Sequence, residues 1–143
     1  MVNILMEIVT AERVVSSEEV RGLVVPGIDG EITVLPNHAP LLTSLKAGAI
    51  RSIKNSDEDH YIAISGGFIE IIGNKVTILA DTAEREEEIN LERAEAALEQ
   101  AQENMTSAAG SNDLEKSLAA MRRSQARLQV VRRRRRGAGT NVG

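Results

Sequence analysis

The sequence predicts an antiparallel β-sandwich over residues 1–84, an antiparallel α-helical hairpin over residues 85–136 and a flexible tail at residues 137–143. The prediction rests on a change of residue type near residue 82. Before it, short runs rich in Ile and Val alternate with turns that contain Gly, Pro or Asn. After it, Glu, Ala, Gln and Leu dominate, with neither Gly nor Pro from residue 84 to residue 105. β-Branched residues favour pleated strands, whereas the second set favours helices.

The first half contains many short candidate strands. Gly73 and Asn74 separate the last two and predict a two-residue hairpin, because both residue types tolerate a positive φ. Short strands separated by turns at this spacing are typical of an antiparallel sandwich or barrel. The candidate strands span residues 4–8, 20–25, 31–35, 49–53, 60–64, 68–72 and 75–79.

Apolar residues at steps of three and four predict two helices after residue 84. The first is predicted within the run of helix formers at residues 84–105, with three glutamates at positions 86–88, where a helix N-terminus favours negative charge. A break at residues 106–112 predicts a short loop. The predicted seam of the first helix is Leu91, Ala94, Leu98, Ala101 and Met105. The predicted seam of the second helix is Leu114, Leu118, Met121, Gln125 and Leu128.

The two predicted seams offer little apolar surface. Alanine buries a small area, and each Å² of buried apolar surface contributes only about 25 cal/mol. Gln125 also places a polar side chain within the second seam. Such a hairpin is held weakly and can exchange packing partners, as a mobile regulatory arm requires. A helical appendage packed permanently on the sandwich is equally compatible with the sequence.

The net charge of −4 hides two segments of opposite sign. Residues 86–110 contain seven Glu and one Arg, whereas residues 111–143 contain nine Lys or Arg and two Asp or Glu. This division indicates interaction surfaces of opposite charge. Five arginines at positions 132–136 leave open a nucleic-acid-binding module, or another interaction module built on the hairpin. Against nucleic acid, the chain has one Tyr and one Phe for stacking on bases, and its first half is net acidic.

No pattern in the sequence is typical of a catalytic or metal site. The chain has no Cys, which excludes thiolate nucleophiles and thiolate zinc ligands. His38 and His60 are 22 positions apart and do not match a metal-ligand spacing. Neither a glycine-rich phosphate loop nor a serine nucleophile motif occurs. We therefore expect a protein that is not an enzyme and binds no metal. The sequence also contains no run of about 18 apolar residues, which a membrane-spanning helix would need.

Three segments resemble the epsilon subunit of F-type ATP synthases, in the order in which they occur in that family. Residues 30–42 (GEITVLPNHAPLL) are the longest and most specific match. Residues 65–68 (SGGF) and 76–84 (VTILADTAE) are similar to two further family segments. The resemblance covers roughly residues 3–131, and the hairpin resembles the family mainly in architecture and composition.

The resemblance implies a non-catalytic subunit of the central rotor. In the family, the sandwich docks beside the gamma subunit and rests on the membrane-embedded c-ring, so that torque passes between the ring and the catalytic head. The subunit is then peripheral, on the cytoplasmic face of the cell membrane or on a thylakoid membrane. Glu31, Asn37 and His38 match the family's ring-facing loops and are the expected contacts with the c-ring and gamma subunit.

The resemblance also implies that the hairpin is a brake. In the family it lies folded on the sandwich, or extends along the gamma subunit into the head of alpha and beta subunits and suppresses ATP hydrolysis. Clustered arginines on the second helix can bind acidic segments there through charge-assisted hydrogen bonds. The expected residues are Arg122, Arg123, Arg127, Arg132, Arg133 and Arg134.

Some bacterial members bind ATP on the folded hairpin through an Ile-Asp-x-x-Arg-Ala motif. This chain matches the motif except at its second position, where Asn90 replaces the Asp. An amide keeps an acceptor oxygen but loses the charge. Gln100 stands where strong ATP binders have an Arg. The matching residues are Ile89, Arg93 and Ala94, with Glu84, Arg123 and Arg127 at further family positions. No cofactor is therefore expected, and ATP is at most a weak regulatory ligand.

Overall fold

The structure, a computed structural model, describes residues 3–54, 59–107 and 114–140. Side chains are described as far as residue 105 in the first helix and residue 132 in the second. Within these limits, ten strands are followed by a 3₁₀ turn (Glu86–Glu88) and two helices, α1 (Leu91–Ser107) and α2 (Leu114–Thr140). The strands are β1 (Ile4–Val9), β2 (Val14–Val20), β3 (Gly22–Gly27), β4 (Gly30–Val34), β5 (Leu41–Leu45), β6 (Gly48–Ile53), β7 (Asp59–Ile64), β8 (Gly67–Ile72), β9 (Lys75–Ala80) and β10 (Ala83–Arg85).

The strands form one sheet that folds into two layers around a core. The sheet order is β10-β7-β6-β3-β5-β8-β9-β1-β2, and β4 pairs with β3. A single paired position, Gly27 with Leu45, joins β3 to β5, and the sheet turns there. We call β10, β7, β6, β3 and β4 the first layer, and β5, β8, β9, β1 and β2 the second layer. The predicted sandwich followed by two helices is confirmed.

The core between the layers is aliphatic apart from Met6, because alternate residues of each strand point inwards. In β8, Ile69 and Ile71 are buried, whereas Phe68 and Ile72 are exposed. A fully buried aliphatic side chain contributes about 1.5–3 kcal/mol relative to an exposed one. The sandwich therefore has a core of its own, separate from the contacts of the hairpin.

One strand pair departs from the predicted antiparallel arrangement. β1 runs parallel to β9, with Leu5 opposite Lys75 and Val9 opposite Leu79. The other pairings among the described strands are antiparallel. Parallel neighbours need a long connection, and the chain from β2 to β8 supplies it. No local pattern in the sequence marks a pairing of this kind.

The residue pattern does not predict the strands β2, β5 and β10, and the first helix begins later than predicted. β2 reads VVSSEEV, and Glu is a poor strand former. The first helix begins at Leu91, whereas the hairpin was predicted from residue 85. Residues 83–85 pair with β7 instead, and Ala83 is buried opposite Ile64. Strand pairing thus overrides the helix propensity of this glutamate-rich segment.

Most buried residues of the hairpin helices are small, being Ala or Ser. On α1, Ala94 and Ala101 are buried, as predicted. On α2 the buried stripe differs in phase from the predicted one, so the prediction that Gln125 lies in the seam is wrong, and its side chain is exposed. Leu128 is buried, as predicted, and the other buried residues of α2 are Ser117, Ser124, Ala126, Val130 and Val131.

α2 is longer than predicted. It continues to Thr140, so the predicted tail is wrong for residues 137–140, whose backbone is helical. Each added helical residue gains a hydrogen bond once a helix has formed, which allows the helix to pass Gly137. Residues 141–143 lie outside the described part of the chain. Within that part, no helix combines the length and apolar character needed to cross a bilayer.

α2 lies against the outer surface of the first layer, over β6 and β7. Val130 is fully buried and packs with Ala126 and with Ala63 of β7. Ala49, Tyr61 and Ile89 border this contact. The hairpin is therefore in the folded position, and the apolar cluster that joins it to the sandwich is small.

Candidate functional site

A cleft of about 470 Å³ lies at the base of the hairpin, where the last strand, the 3₁₀ turn and both helices meet. It is lined by Glu84, Glu88, Ile89, Asn90, Arg93, Ala94, Ala97 and Arg127. This set contains six of the seven residues that the resemblance indicated for nucleotide binding. The seventh, Arg123, lines a small adjoining cavity together with Glu84 and Arg127. The fold thus brings together residues that lie far apart in the chain.

Asn90 is the N-cap of α1. Its side-chain oxygen accepts a hydrogen bond from the backbone N–H of Arg93 at 3.0 Å, and its carbonyl accepts one from Ala94 at 2.9 Å. A capping side chain of this kind stabilises a helix by about 1 kcal/mol. The cap engages the acceptor oxygen of Asn90, so an amide at this position is sufficient to start the helix. The positive end of the α1 dipole lies at this edge of the cleft.

An ion pair joins the sandwich to α2 across the cleft. Oε1 of Glu84, in β10, accepts hydrogen bonds from Nε of Arg127 at 2.9 Å and from Nη2 at 2.5 Å. Both side chains are largely shielded, with about 30% of each exposed. Because Glu84 lies on a strand and Arg127 on α2, the pair fixes α2 against the sandwich.

Glu88 is held by two arginines from different parts of the chain. Nη2 of Arg13 lies 2.7 Å from Oε2 of Glu88, and Nε of Arg85 lies 2.9 Å from Oε1. The hydrogen bond to Arg13 lowers the pKa of Glu88 below its usual range, and Arg85 adds to this effect. The same contact raises the pKa of Arg13. The Glu88 carboxylate at the rim of the cleft is therefore ionised at neutral pH.

Two arginines line the cleft, and they differ in their contacts with the described residues. Among the described residues, no carboxylate pairs with the guanidinium of Arg93, whereas Arg127 is bound to Glu84. Arg93 and the α1 N-terminus together favour an anionic group. Gln100 donates a hydrogen bond to Asn104 along α1 and is not part of the lining.

The candidate ring contacts lie at opposite ends of β4. Glu31, which is exposed, pairs with Pro26 beside the β3–β4 turn. Asn37 follows the other end of the strand, has a φ of 65° and donates its backbone N–H to Asn74 Oδ1 at 2.8 Å. His38 Nδ1 lies 2.7 Å from the carbonyl oxygen of Ala39. The structure therefore groups Asn37 with His38 but not with Glu31.

The arginines of α2 do not form one patch. Arg123 and Arg127 are half-buried and face the sandwich. Arg122 is exposed and lines a separate open cavity of about 730 Å³ beside the β7–β8 turn. Arg132 is exposed, and the side chains of Arg133 and Arg134 lie outside the described residues. A partner that bound all of these arginines would need the hairpin to leave the sandwich.

The outer face of the second layer exposes large apolar side chains, which the sequence analysis misses. Phe68 of β8 pairs with Leu79 of β9, and Val9 of β1 pairs with both Leu79 and Val14. This row crosses four strands. The exposed large apolar residues on this face are Leu5, Val14, Leu42, Phe68, Ile72 and Leu79. A run such as FIEII, in which two of the three outward positions are apolar, is the signal that could have revealed it.

Comparisons with known proteins agree with this two-part structure. A family model described as the ATP synthase delta/epsilon chain β-sandwich domain matches residues 3–86. The model of the long α-helix domain of the same chain matches residues 87–132.

Curated relatives cover 70% or more of this chain. The ATP synthase epsilon chain of Herpetosiphon aurantiacus is 50% identical over 130 residues, which are 91% of this chain and 95% of the relative. That of Carboxydothermus hydrogenoformans is 54% identical over 101 residues, 70% of this chain and 74% of the relative.

A solved structure has the same fold. A chain of the mitochondrial ATP synthase of Euglena gracilis, in an assembly of OSCP, F1 and c-ring, superposes with a TM-score of 0.66 at 22% identity, over 95% of this chain and 81% of that chain. The matches to both domains, in the same order as in the structure, show that this chain belongs to the ATP synthase delta/epsilon chain family, as an epsilon chain.

Proposed function

We propose that the protein is a non-catalytic rotor subunit that links the gamma subunit to the c-ring of an F-type ATP synthase. In this role it lies at the periphery of the membrane, on the cytoplasmic face, and its hairpin is a movable inhibitor of ATP hydrolysis. The observation that carries the proposal is the difference between the two outer faces of the sandwich. The hairpin covers the first layer, whereas the second layer exposes a row of apolar side chains.

The apolar row on the second layer is the proposed surface for the gamma subunit. Phe68 is 55% exposed and Leu79 is 56% exposed, and the two are cross-strand neighbours. A contiguous apolar patch on a folded domain marks an interaction surface, because water contact with it is unfavourable. The edge strand β4 and its flanking turns, which carry Glu31, Asn37 and His38, are the proposed surface for the c-ring.

Phe68→Glu tests the gamma surface. We expect binding to purified gamma subunit to weaken about tenfold or more, because central aromatic residues dominate interfaces and a charge would be buried there. Leu35→Glu is the comparison: Leu35 is 57% exposed but lies in the turn after β4, on the surface proposed for the c-ring, so binding to isolated gamma subunit should not change. Thermal unfolding of both variants checks that they fold. Unchanged binding by Phe68→Glu would contradict the proposed surface.

The inhibitory role is supported by the small contact that holds the hairpin and by the arginines that face the sandwich in this position. Extension of the hairpin would free Arg123 and Arg127 for acidic groups of the alpha and beta subunits. The test is a chain ending after Glu88, which keeps β10 and the 3₁₀ turn but lacks both helices. We expect faster ATP hydrolysis by a complex reconstituted with it than with the full chain. Equal rates would refute an inhibitory hairpin and leave the rotor role intact.

We also propose that the cleft at the hairpin base takes ATP weakly. Arg93 and the α1 N-terminus suit the phosphates, but Glu84 already occupies Arg127, so phosphate and Glu84 compete for it. Calorimetric titration with ATP tests the proposal, with Asn90→Asp as the variant that restores the family motif. We expect weak binding by the natural chain and tighter binding by the variant. No heat from either at millimolar ATP would exclude the ligand.

A further inference from the structure

The turn between β1 and β2 carries Arg13, and hydrogen bonds within the turn fix its backbone. The backbone N–H of Thr10 donates to the carbonyl of Arg13 at 2.9 Å. The Thr10 hydroxyl accepts from the backbone N–H groups of Glu12 and Arg13, each at 3.3 Å. A hydroxyl that closes a turn on its own backbone restricts the chain locally. The turn therefore holds Arg13 in a defined position at the end of the sandwich.

Arg13 binds the segment that connects the sandwich to the hairpin. This connecting segment comprises residues 86–90, between β10 and α1. Its Nη2 lies 2.7 Å from Oε2 of Glu88 and its Nη1 lies 3.4 Å from Oε1, across 75 positions of sequence. Arg85 holds Oε1 from the other side. A forked contact to a carboxylate shared by two arginines is stronger and more directional than a simple surface pair.

Glu88 is the last residue of the 3₁₀ turn, directly before the residues that start the hairpin. Ile89 is next, and packs on the cluster formed by Ala63 and Val130. Asn90 follows and caps α1. Glu88, Ile89 and Asn90 all line the cleft. Because Glu88 is fixed, the backbone position of the next two residues is restricted. Ile89 then packs on the apolar cluster, and Asn90 caps α1.

We propose that Arg13 is a positioning residue for the hairpin: by holding Glu88 it fastens the connecting segment to the sandwich, and so favours the folded position over the extended one. The inference rests on the proposed movement of the hairpin. Arg13 belongs to the sandwich, whereas Glu88 belongs to the segment that moves, so this contact is made in the folded position and broken on extension.

The expected effect is moderate, because Arg13 is partly exposed. The exposed fractions of the side chains are 47% for Arg13 and 26% for Glu88. Exposed ion pairs have small effects, and a forked, shared pair lies at the upper end of their range, so removing it should shift the folded-to-extended ratio about two- to fivefold. High salt should reduce the difference, since exposed charges are screened.

The experiment measures the hairpin position directly in the full chain. Because the chain contains no Cys, Asp29→Cys and Glu99→Cys introduce two labelling sites, one on the sandwich and one on α1. The distance between two spin labels then gives the folded fraction. The variants are Arg13→Gln, Glu88→Gln, the double variant and Arg13→Lys. Lys75→Gln is the control, because it removes one positive charge from β9 and leaves the connecting segment intact.

We expect Arg13→Gln and Glu88→Gln each to lower the folded fraction, and the double variant to lower it by less than the sum of both effects. Arg13→Lys should restore part of the loss, since an ammonium group makes a single contact. Thermal unfolding of the sandwich should not change. If Arg13→Gln leaves the folded fraction equal to that of Lys75→Gln, or if the two single effects simply add, the inference is wrong. The label distances are measured on the protein alone, without nucleotide or partner subunits. Their outcome is therefore independent of the ATP titration and of the hydrolysis assays.

Discussion

The carboxylate of Glu84 and the guanidinium of Arg127 join the last strand of the sandwich to the last helix of the chain, with Nε to Oε1 at 2.9 Å. These residues are 43 positions apart, and the family resemblance indicated each of them without any sign that they touch. The contact lies in the cleft, so it both holds α2 in the folded position and controls how free Arg127 is to bind an anion.

Glu84→Gln should loosen α2 without unfolding the sandwich. Loss of a charge-assisted pair that is about one-third exposed costs about 1 kcal/mol. We expect amide hydrogens of α2 to exchange about fivefold faster, while those of β8 and β9 are unchanged. Glu99→Gln on the exposed face of α1 is the matched control. Equal exchange in both variants would show that the ion pair does not hold the helix.

Val130→Asp should release the hairpin from the sandwich. Val130 is fully buried at the centre of the contact with Ala63, and an unpaired carboxylate there costs about 3 kcal/mol or more. The expected result is stronger inhibition of ATP hydrolysis by the reconstituted complex, because more hairpins are free to extend. Gln129→Asp, one position away and exposed, should behave as the natural chain. Weaker inhibition by Val130→Asp would contradict the proposed equilibrium.

Acid should detach the connecting segment. The pKa of Glu88 is lowered in the folded state, so its contribution to stability is fully present above the unfolded pKa of about 4.3 and is lost as the pH falls through the lower folded value. Titration of Glu88 should therefore leave the fraction of folded hairpins unchanged between about pH 5 and pH 8. It should lower this fraction below about pH 4. Label distances measured against pH check this. Glu88→Gln should show a smaller acid transition, and an unchanged transition would disprove the assignment.

Gly67→Ala should destabilise the sandwich strongly. Gly67 has a φ of 146°, and a Cβ there would lie 2.1 Å from the carbonyl oxygen of Leu79, so the β8–β9 pairing would have to separate. We expect a loss of about 3 kcal/mol or more in the free energy of unfolding by denaturant. Gly73→Ala is the comparison, because its φ is 60° and nothing lies near its Cβ. Its cost should be about 1–2 kcal/mol, from backbone strain alone. Similar losses in both variants would rule out the steric explanation.

Much of the fold was predictable because the two halves of the chain differ in local pattern. The β8–β9 hairpin at Gly73 and Asn74 was predicted correctly, and Gly73 has the expected positive φ. β10 was not predictable, since Glu84 and Arg85 favour helix until β7 offers them a pairing edge. The residues of the cleft were indicated by resemblance, but Glu88 and Arg13 were missed, because neither lies in a motif and their contact spans 75 positions.

The sequence by itself determined the division into a strand-rich part and a helical part, because propensity and apolar period act over a few neighbouring residues. It also determined the charge of each segment. The tertiary structure decided the parallel pairing of β1 with β9, the start of α1 at Leu91 and the folded position of α2 against β6 and β7. These features depend on which distant surfaces bury each other, and the small contact around Val130 shows that for the hairpin this choice rests on few interactions.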